Sequence, residues 1–455
     1  MSTSFISGIC ARFNQVTSGL PYIVFSVSFG LMVDMATYGI LVPVLPFRLA
    51  SVGYTNVPAI ASYLIAAFAF GLIVSSVPIG IFGEVVKSRK VPLLASLAFL
   101  AISLIMFWLT SSLPVLMIAR VLQGFSGTAI WTLGLALICD VVPEARIGVI
   151  MGYVMIGWSI GTVGGPLAGG LLYDKLGYNS VFIFALVITA IDFILRSLVQ
   201  DKKCIQNRQV VVGNEAELSD KESSSSSVTA SSDVSKPPSA SRALLSLLTN
   251  PRFWTLCFIT FVLGFAFGGL LDTGMTMLVK ERYGLSSRGA GLIFIAAVVP
   301  SFISSPLAGN FADKYGAKWP IVCSLVIGTP FFGLLSMNGS LAALIAWIAF
   351  TGFFIMGMAA PIMQDLAEVV KVTPGLGFAH VYGIFNMVYS TGAMIGPLCV
   401  GGLLQHSGIQ NGWQIMSLIV TGLCILCILP AWLFIGSKDK KSEKPASDSK
   451  LDSPV

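Results

Sequence analysis

The sequence predicts an all-α membrane protein with twelve transmembrane helices arranged as two pseudo-symmetric six-helix bundles. Three observations lead to this prediction: an apolar composition, a succession of long apolar stretches, and motifs that recur at one spacing in the two halves of the chain. Of the 455 residues, 55% are hydrophobic and 11% are charged, and the mean hydropathy is +0.86. Because soluble proteins carry about 25% charged residues, this composition excludes an ordinary soluble fold.

The apolar stretches are each long enough to cross a hydrocarbon core of about 30 Å as a helix. They occur as a group of six, a polar gap and a second group of six. The predicted spans are 22–45, 57–82, 91–110, 114–138, 147–172 and 180–200, followed by 252–279, 289–311, 319–337, 341–364, 380–404 and 413–435.

Charged residues are concentrated in two segments that divide the chain. Residues 201–250 contain 12 of them and residues 437–455 contain nine. Such serine-rich, charged segments cannot bury a core, so we expect a disordered cytosolic linker and a disordered cytosolic tail. The remaining segments, 1–200 and 251–436, are the predicted N-terminal and C-terminal six-helix bundles.

Lys and Arg residues predict the orientation of the chain. With the N-terminus in the cytosol, the inward-facing segments and membrane edges hold 21 of the 27 Lys and Arg residues, and the outward loops hold five. Cytoplasmic loops carry an excess of positive charge. We therefore expect both termini in the cytosol, and we interpret the net charge of +6 as a sign of topology rather than of nucleic-acid binding.

Two motifs recur at nearly the same spacing in the two halves. The loops after spans 2 and 8 share a glycine, an acid and nearby bases: Gly80, Glu84, Lys87 and Arg89 in the first, and Gly309, Asp313, Lys314, Gly316 and Lys318 in the second. Their leading glycines are 229 residues apart, and the Gly-Pro pairs that begin at Gly165 in span 5 and Gly396 in span 11 are 231 apart. This common offset indicates parallel repeats of six helices.

These motifs resemble those of the major facilitator superfamily over nearly the whole chain outside the linker and tails. The loop pattern G-x-x-x-D-x-x-G-x-[RK] is the signature of that superfamily, and the copy after span 8 fits it better than the first copy, which has Glu84 for Asp and Lys87 for Gly. Arg120 and Gln123 fit the span 4 pattern R-x-x-Q-G. The span 5 motif that marks drug:proton antiporters is similar to Gly161, Gly165, Pro166, Gly169 and Gly170.

Within the superfamily, the chain resembles the twelve-span drug:proton antiporters, in particular fungal members related to vesicular amine transporters. The similar residues include Asp34 midway along span 1 and Asp272 in span 7. Animal vesicular amine transporters have a long lumenal loop after span 1 and acidic residues in spans 10 and 11. The loop is short here, the two predicted spans contain no acid, and Asn386 lies in span 11.

Ionisable residues at membrane depth are costly and therefore tend to be functional. Asp34, Arg120 and Asp272 are the candidates, and with Gln123 and Asn386 they form the predicted proton-coupling and substrate cavity. We expect Asp34 to bind and release a proton, with Arg120 close enough to adjust its proton affinity. The alternatives are a static Asp34–Arg120 ion pair between spans 1 and 4, and a position for Asp272 near the outer end of span 7.

The signature loops predict a conformational latch formed by Gly80, Glu84, Arg89, Gly309, Asp313 and Gly316. Its glycines would permit close helix approach, and its charges would hold helix ends together in one state and release them in the other. For the span 5 glycines, a tight seam between the two halves and simple helix packing remain alternatives, with Pro166 introducing a bend. Asp192 and Arg196, four residues apart, predict an ion pair that anchors the end of span 6 at the membrane interface.

We therefore expect a secondary active transporter, not an enzyme, that exports small hydrophobic organic compounds in exchange for protons by alternating access. The alternatives are a proton-coupled symporter or facilitator for nutrient uptake, and vesicular or vacuolar sequestration of amines. No metal or other cofactor is expected, because the proton gradient would supply the energy.

The expected partners are a small-molecule substrate and the lipid bilayer, and not nucleic acid. We expect a multi-pass monomer in the plasma membrane, with a vacuolar or vesicular membrane as the alternative. Asn338 begins a glycosylation sequon in a short predicted outward loop.

Overall fold

The structure of the protein is a computed structural model that describes residues 17, 19–54, 57–86, 88–199, 247, 249–285, 287–373 and 375–436. Nearly all of the predicted linker, the whole predicted tail and Lys87 of the first signature loop lie outside these residues. Within the described part the chain is helical and contains no β-strand.

Among the described residues, six helices form the N-terminal half: α1 (Leu20–Val52), α2 (Val57–Val85), α3 (Lys90–Leu109), α4 (Leu113–Val141), α5 (Ile147–Leu176) and α6 (Tyr178–Leu198). The C-terminal half begins with α7 (Pro251–Phe265, a π-helical segment Ala266–Gly274, and Met275–Tyr283), α8 (Ser287–Val298 and Ser301–Tyr315) and α9 (Lys318–Leu334). It ends with α10 (Leu341–Thr351, a π-helical segment Gly352–Met356, and Ala359–Val372), α11 (Phe378–Ser407) and α12 (Ile409–Phe434).

Eleven of these helices contain stretches long and apolar enough to cross a membrane, and α9 is a shorter apolar helix of 17 residues. The predicted number and order of helices are confirmed. The largest difference in boundaries is at α10, which continues to Val372, whereas the apolar run ends at residue 364. A helix continues past an apolar run where its polar side chains find buried partners, and those partners are described below.

Local sequence accounts for several helix ends. The Asn250 side chain accepts a hydrogen bond from the backbone N–H of Arg252 at 2.9 Å, and Pro251 occupies the first turn of α7. This is the usual combination at a helix start, because proline has no N–H to leave unpaired there. The end of α1 is set by Gly53, whose φ of 96° is in the left-handed region that favours glycine.

The glycines of the span 5 motif pack α5 against α1, within the N-terminal half. A Cβ added at Gly165 would lie 2.6 Å from the Ala36 carbonyl oxygen, and Gly161 and Gly169 approach the α1 backbone in the same way. The equivalent glycine of α11, Gly396, packs against the α7 backbone in the C-terminal half. The expectation of a seam between the halves is therefore wrong for this structure, because these glycines face a helix of their own half.

Other glycines bring the two halves together along α5 with α8 and α2 with α11. A Cβ added at Gly152 would lie 2.6 Å from the Cα atom of Pro306 in α8, and one at Gly80 would lie 2.9 Å from the Ala379 carbonyl oxygen in α11. The halves thus approach at backbone distance, without intervening side chains. A small-residue surface is the usual means of such close helix packing in a membrane.

Candidate transport site

Both signature loops lie at one end of the bundle, which we call the latch end: the end at which α2 and α8 finish and α5 and α11 begin. Glu84 accepts a hydrogen bond from the backbone N–H of Ala379, the second residue of α11, at 2.7 Å. Asp313 accepts two, from Gly148 and Val149 at the start of α5, at 2.7 and 2.8 Å. Each carboxylate thereby meets the unpaired N–H groups and positive dipole end of a helix in the opposite half.

Arg89 supports the first of these contacts. Its guanidinium forms ion pairs with Glu84 at 3.0 Å and with Asp140 at 2.5 Å, and it also donates to the Gly83 carbonyl oxygen. Burial alone would lower the pKa of Arg89, but the carboxylates of Asp140 and Glu84 outweigh burial and leave that pKa raised. The guanidinium therefore stays charged and holds the Glu84 carboxylate of α2 against the start of α11.

The glycines predicted for the latch have different roles in this structure. Gly80 and Gly309 lie where α2 meets α11 and where α8 meets the Gly148 backbone, respectively, and neither position has room for a Cβ atom without a shift. Gly316 lies just after α8, where its φ of 85° suits glycine. All six predicted latch residues thus lie at the same end of the molecule, and four of them contact or nearly contact the opposite half.

A second buried ion pair at the latch end belongs to the C-terminal half alone. Arg252 at the start of α7 donates from Nε to Asp365 at 2.9 Å and pairs with Glu368 at 2.7 Å. The Asp365 side chain is fully buried. The predicted span 10, residues 341–364, contains no acid, but the helix itself continues to Val372. The expectation of no acid in this helix therefore fails, because Asp365 and Glu368 lie in its extension.

Asp34 lies in the interior of the N-terminal half and is 1% exposed. Its carboxylate faces α4 at Gly127, where an added Cβ would lie 3.0 Å from Oδ1. The Arg196 guanidinium attracts it and the Trp131 indole lies close by, but neither carboxylate oxygen completes a hydrogen bond with a described residue. Such a carboxylate is costly in its charged form and can exist as the neutral acid, which is what reversible proton binding requires.

Arg120 is fully buried and does not pair with Asp34. Its Nη1 donates to Gln123 at 3.0 Å, and its guanidinium lies over the rings of Phe107 and Tyr38, at 5.3 and 6.0 Å from their centroids. Nε and Nη2 have no partner among the described residues. Arg120 lies about two helical turns along α4 from the point where Asp34 packs, so the expected Asp34–Arg120 pair is absent.

Asp272 lies in the π-helical segment of α7, and its side chain is accessible to solvent although protein surrounds it within a membrane-spanning helix. It acts electrostatically on the hydroxyls of Tyr38 in α1 and Tyr389 in α11. Because α1 belongs to the opposite half, the exposed side of Asp272 faces the cleft between the halves rather than lipid. Tyr38 also interacts with Arg120, and it therefore lies between the buried guanidinium and the carboxylate in the cleft.

Asn386 lies nearer the latch end than this group. Its Nδ2 donates to Ser76 of α2 at 3.3 Å and to Thr128 of α4 at 3.2 Å. It is 6% exposed, and it joins the two halves as part of a buried polar cluster. On the other pair of helices, the hydroxyls of Ser159 in α5 and Ser301 in α8 are 3.0 Å apart. The halves are thus held together from the latch end to about mid-membrane.

The ion pair of Asp192 and Arg196 lies deeper in the bundle than the sequence predicts. The predicted ion pair is present, with Nε of Arg196 at 3.0 Å from Asp192 Oδ2, but the two side chains are 3% and 0% exposed and lie inside the bundle rather than at its surface. Two charges inside an otherwise apolar span were the signal that could have identified them. Tyr38 and Tyr389 carried no such signal, because tyrosines are common in apolar helices.

The Asn338 sequon has a structural explanation in addition to the predicted one. The Asn338 side-chain oxygen accepts hydrogen bonds from Gln410 at 2.7 Å and Gln414 at 3.3 Å. Ser340 caps α10 by accepting from the backbone N–H of Ala343. The Asn-Gly-Ser sequence therefore joins the start of α10 to α12, and its glycosylation stays a prediction.

Comparison with known proteins identifies the family. A sequence profile described as the Major Facilitator Superfamily matches residues 27–288 and 271–454. The chain belongs to this superfamily. As a superfamily member it is an integral, multi-pass membrane transporter, and the relatives that it matches are transporters rather than enzymes.

Superfamily relatives match along most of the chain. The chain is 28% identical to the MFS-type transporter ppzB of Metarhizium majus, over 90% of the chain and 98% of the relative. It is 30% identical to an uncharacterised MFS-type transporter of Schizosaccharomyces pombe, over 88% and 93%. The fold is similar to that of the human organic anion transporter MFSD10, with a TM-score of 0.68, 19% identity, and coverage of 91% of the chain and 99% of that structure.

Proposed function

We propose that this chain is a proton-driven exporter of small, hydrophobic organic compounds, which moves its cargo by alternating access of the two halves. The observation that carries the proposal is the contrast between two carboxylates at membrane depth. Asp34 is buried and completes no hydrogen bond with the residues that the structure describes, whereas Asp272 is accessible beside Tyr38 of the opposite half. An exchanger needs one group that binds protons and one region that binds cargo, and these two environments suit the two tasks.

The cleft suggests a cargo that is hydrophobic and positively charged. Asp272 lies beside two tyrosines, Tyr38 and Tyr389. Nearby, Trp158 of α5 and Phe267 of α7 contact each other across the halves, with ring centroids 5.6 Å apart. Aromatic faces and a carboxylate together attract organic cations, through cation–π interactions and charge pairing.

The proton gradient is sufficient for this task. One proton moving down about 100 mV releases about 2.3 kcal/mol, and one pH unit adds about 1.4 kcal/mol. Together they support a concentration gradient of roughly 500-fold for a neutral compound exchanged for one proton, since 1.4 kcal/mol corresponds to tenfold. When a monovalent cation is exchanged for one proton, no net charge moves, so the pH difference alone drives the exchange and supports about tenfold per pH unit.

Transport by purified protein in liposomes tests the proposal. With an inside-acid pH gradient and the membrane potential clamped, we expect radiolabelled 1-methyl-4-phenylpyridinium to accumulate in the liposomes as protons leave. Asp34→Asn should abolish this accumulation but preserve gradient-independent exchange of labelled for unlabelled probe. Asp174→Asn, at an exposed carboxylate near the end of α5, is the matched control. Probe uptake that follows an outside-acid gradient instead would support a nutrient-type symporter and contradict the exporter.

The exposed carboxylate of Asp272 also favours a second candidate, sequestration of amines into a vesicle or vacuole. The chemistry is the same in both cases, and the two candidates differ in the membrane that holds the protein. Imaging a fluorescently tagged copy in its native host distinguishes them, because export requires the plasma membrane and sequestration requires an internal one.

In either membrane we propose that both termini face the cytosol, as the distribution of Lys and Arg indicates.

A further inference from the structure

The interior of the N-terminal half contains a row of polar groups that the transport cleft does not include. Ser26, Gly30 and Asp34 lie on α1 at intervals of four residues and therefore share one face of the helix. Asp192 and Arg196 lie on α6, which packs against this part of α1. The row lies within one half, so it is separate from the contact between the halves.

Gly30 provides the space in which the Arg196 guanidinium lies. An added Cβ at Gly30 would occupy the position of Nη2, with Cζ and Nε at 2.5 and 2.9 Å. Asp192 holds the guanidinium there through Nε, which donates to both of its oxygens at 3.0 and 3.1 Å. The positive charge of helix α6 is therefore held one helical turn from Asp34.

Polar atoms along this row lack protein partners. Nη1 and Nη2 of Arg196 and Oγ of Ser26 are buried and have no hydrogen-bond partner among the described residues, and the same is true of both Asp34 oxygens. Ser26 and Arg196 also line a small pocket that reaches Lys90, near the latch end. Lys90 donates to the Ser197 carbonyl oxygen at the end of α6. Buried polar atoms of this kind are ordinarily satisfied by water.

Arg196 and Asp192 are the charged groups that act on the Asp34 carboxylate, the first attracting it and the second repelling it. The other helices packed against this part of α1 contribute uncharged contacts: Gly127 and Trp131 from α4, and Gly157 and Gly161 from α5. The counter-charge of Asp34 in this conformation is thus Arg196 on α6, and Arg120 has no part in it.

We propose that Asp34 exchanges its proton with the latch end through the interior of the N-terminal half, along Arg196 and Ser26, and that Arg196 is the gate of this path. A fixed guanidinium repels a proton that enters from the latch end while the Asp34 carboxylate is charged. Movement of Arg196 away from Gly30 in another conformation opens the path. Protons and cargo then use different routes, which prevents a proton leak through the cleft when cargo is absent. This inference rests on the proposed role of Asp34 as the proton carrier.

Proton leak without cargo tests the gate. The protein is reconstituted in liposomes that contain a pH-sensitive dye, and a potassium diffusion potential drives protons across the membrane. We expect the double variant Asp192→Asn with Arg196→Gln to increase the leak at least tenfold over the wild type. Adding Asp34→Asn should return the leak to the wild-type rate, because the path ends at that carboxylate. Removing both charges together avoids leaving Asp192 as a buried ion without its Arg196 partner.

Three further variants keep the test decisive. Gly30→Ala displaces the guanidinium without changing any charge, and it should also increase the leak, whereas Gly164→Ala, at a site with nothing within 4 Å of the added Cβ, should not. The double variant Arg252→Gln with Asp365→Asn removes the buried ion pair of the other half and should leave the leak unchanged.

The results separate this inference from the proposed function. An unchanged leak in both the double variant and Gly30→Ala, with protein that still elutes as a single folded species, overturns the gate. A leak that rises but does not depend on Asp34 overturns the path. If the wild type shows no proton-coupled transport of any probe, the exporter itself fails, whatever the leak experiment shows.

Discussion

At the scale of single residues, the charges inside the spans interact with groups on other helices: Arg196 of α6 attracts Asp34 of α1, and Arg120 of α4 lies over Phe107 and Tyr38. Asp34, Arg120 and Asp272 stand out because ionisable groups are rare in apolar spans. The assignment of Arg120 to Asp34 was wrong because helical periodicity gives the face of each helix but not the rotation or depth at which two helices meet. Arg196 could be paired with Asp34 only once the packing of α6 against Gly30 was known.

Asp272→Asn tests the role of the carboxylate in the cleft. A charge-assisted interaction is worth about 1.5–3 kcal/mol, so we expect the KM for 1-methyl-4-phenylpyridinium to rise about tenfold or more. The KM for a neutral compound such as chloramphenicol should stay within about twofold, because no charge pair is lost. Equal effects on both compounds, measured in the same liposomes, would count against direct recognition of a cation by this residue.

Asp313→Asn tests the latch. The carboxylate accepts two backbone hydrogen bonds at the start of α5, and the amide keeps neither the charge nor the full acceptor capacity. We expect the population closed at the latch end to fall, seen as longer distances between spin labels placed on α5 and α8 at that end. The distance distribution of Asp174→Asn should match that of the wild type, and an identical distribution for Asp313→Asn would contradict the latch.

At the scale of helices, the sequence was a good guide to position and a poorer guide to length and neighbours. Each apolar run corresponds to a helix, because an apolar segment in a membrane must satisfy its own backbone hydrogen bonds. The extension of α10 to Val372 could not be predicted, since it depends on Arg252 from another helix. The span 5 glycines indicated close packing, but only the fold shows that the partner is α1.

Alanine substitutions in α5 test this packing with a control inside the same motif. Gly165→Ala places a Cβ 2.6 Å from the Ala36 carbonyl oxygen, whereas Gly170→Ala meets nothing within 4 Å. We expect the first to destabilise the protein by about 1–3 kcal/mol, the usual cost of overpacking, and the second to have no measurable effect. Thermal unfolding in detergent, followed by size-exclusion chromatography with fluorescence detection, compares the two, and equal melting temperatures would refute the close approach.

At the scale of the whole molecule, the two-fold repeat predicted from the motif spacing accounts for how the halves are built. Gly165 lets α5 pack closely against α1, and Gly396 lets α11 pack closely against α7. The first and fifth helices are therefore packed together in each half. The contacts between halves add to such close glycine packing, as at Gly80 and Gly152, the contacts of helix termini and the hydrogen bonds of the Asn386 amide with hydroxyl groups of the N-terminal half. This pattern favours rigid halves that rock about their shared surface.

A disulfide across that surface tests the rocking motion. The hydroxyls of Ser159 and Ser301 are 3.0 Å apart, so cysteines at both positions can form a bond of about 2 Å with little movement. We expect oxidation of the double variant to stop transport and a reducing agent to restore it. Neither single cysteine variant should respond to the oxidant, and full transport by the cross-linked protein would show that the halves need not separate here.

The π-helical segments occur in α7 and α10, whereas α1 and α4, their counterparts in the other half, are regular throughout. Irregular turns of this kind are frequent at functional sites. In the proposed exporter, the proton-binding carboxylate of Asp34 thus lies in a regular helix, whereas Asp272 and Phe267 of the cleft lie in an irregular one, opposite Tyr38 and Trp158 of the N-terminal half. We therefore expect related transporters of different cargo to differ from one another more along α7 and α10 than around Asp34 in α1.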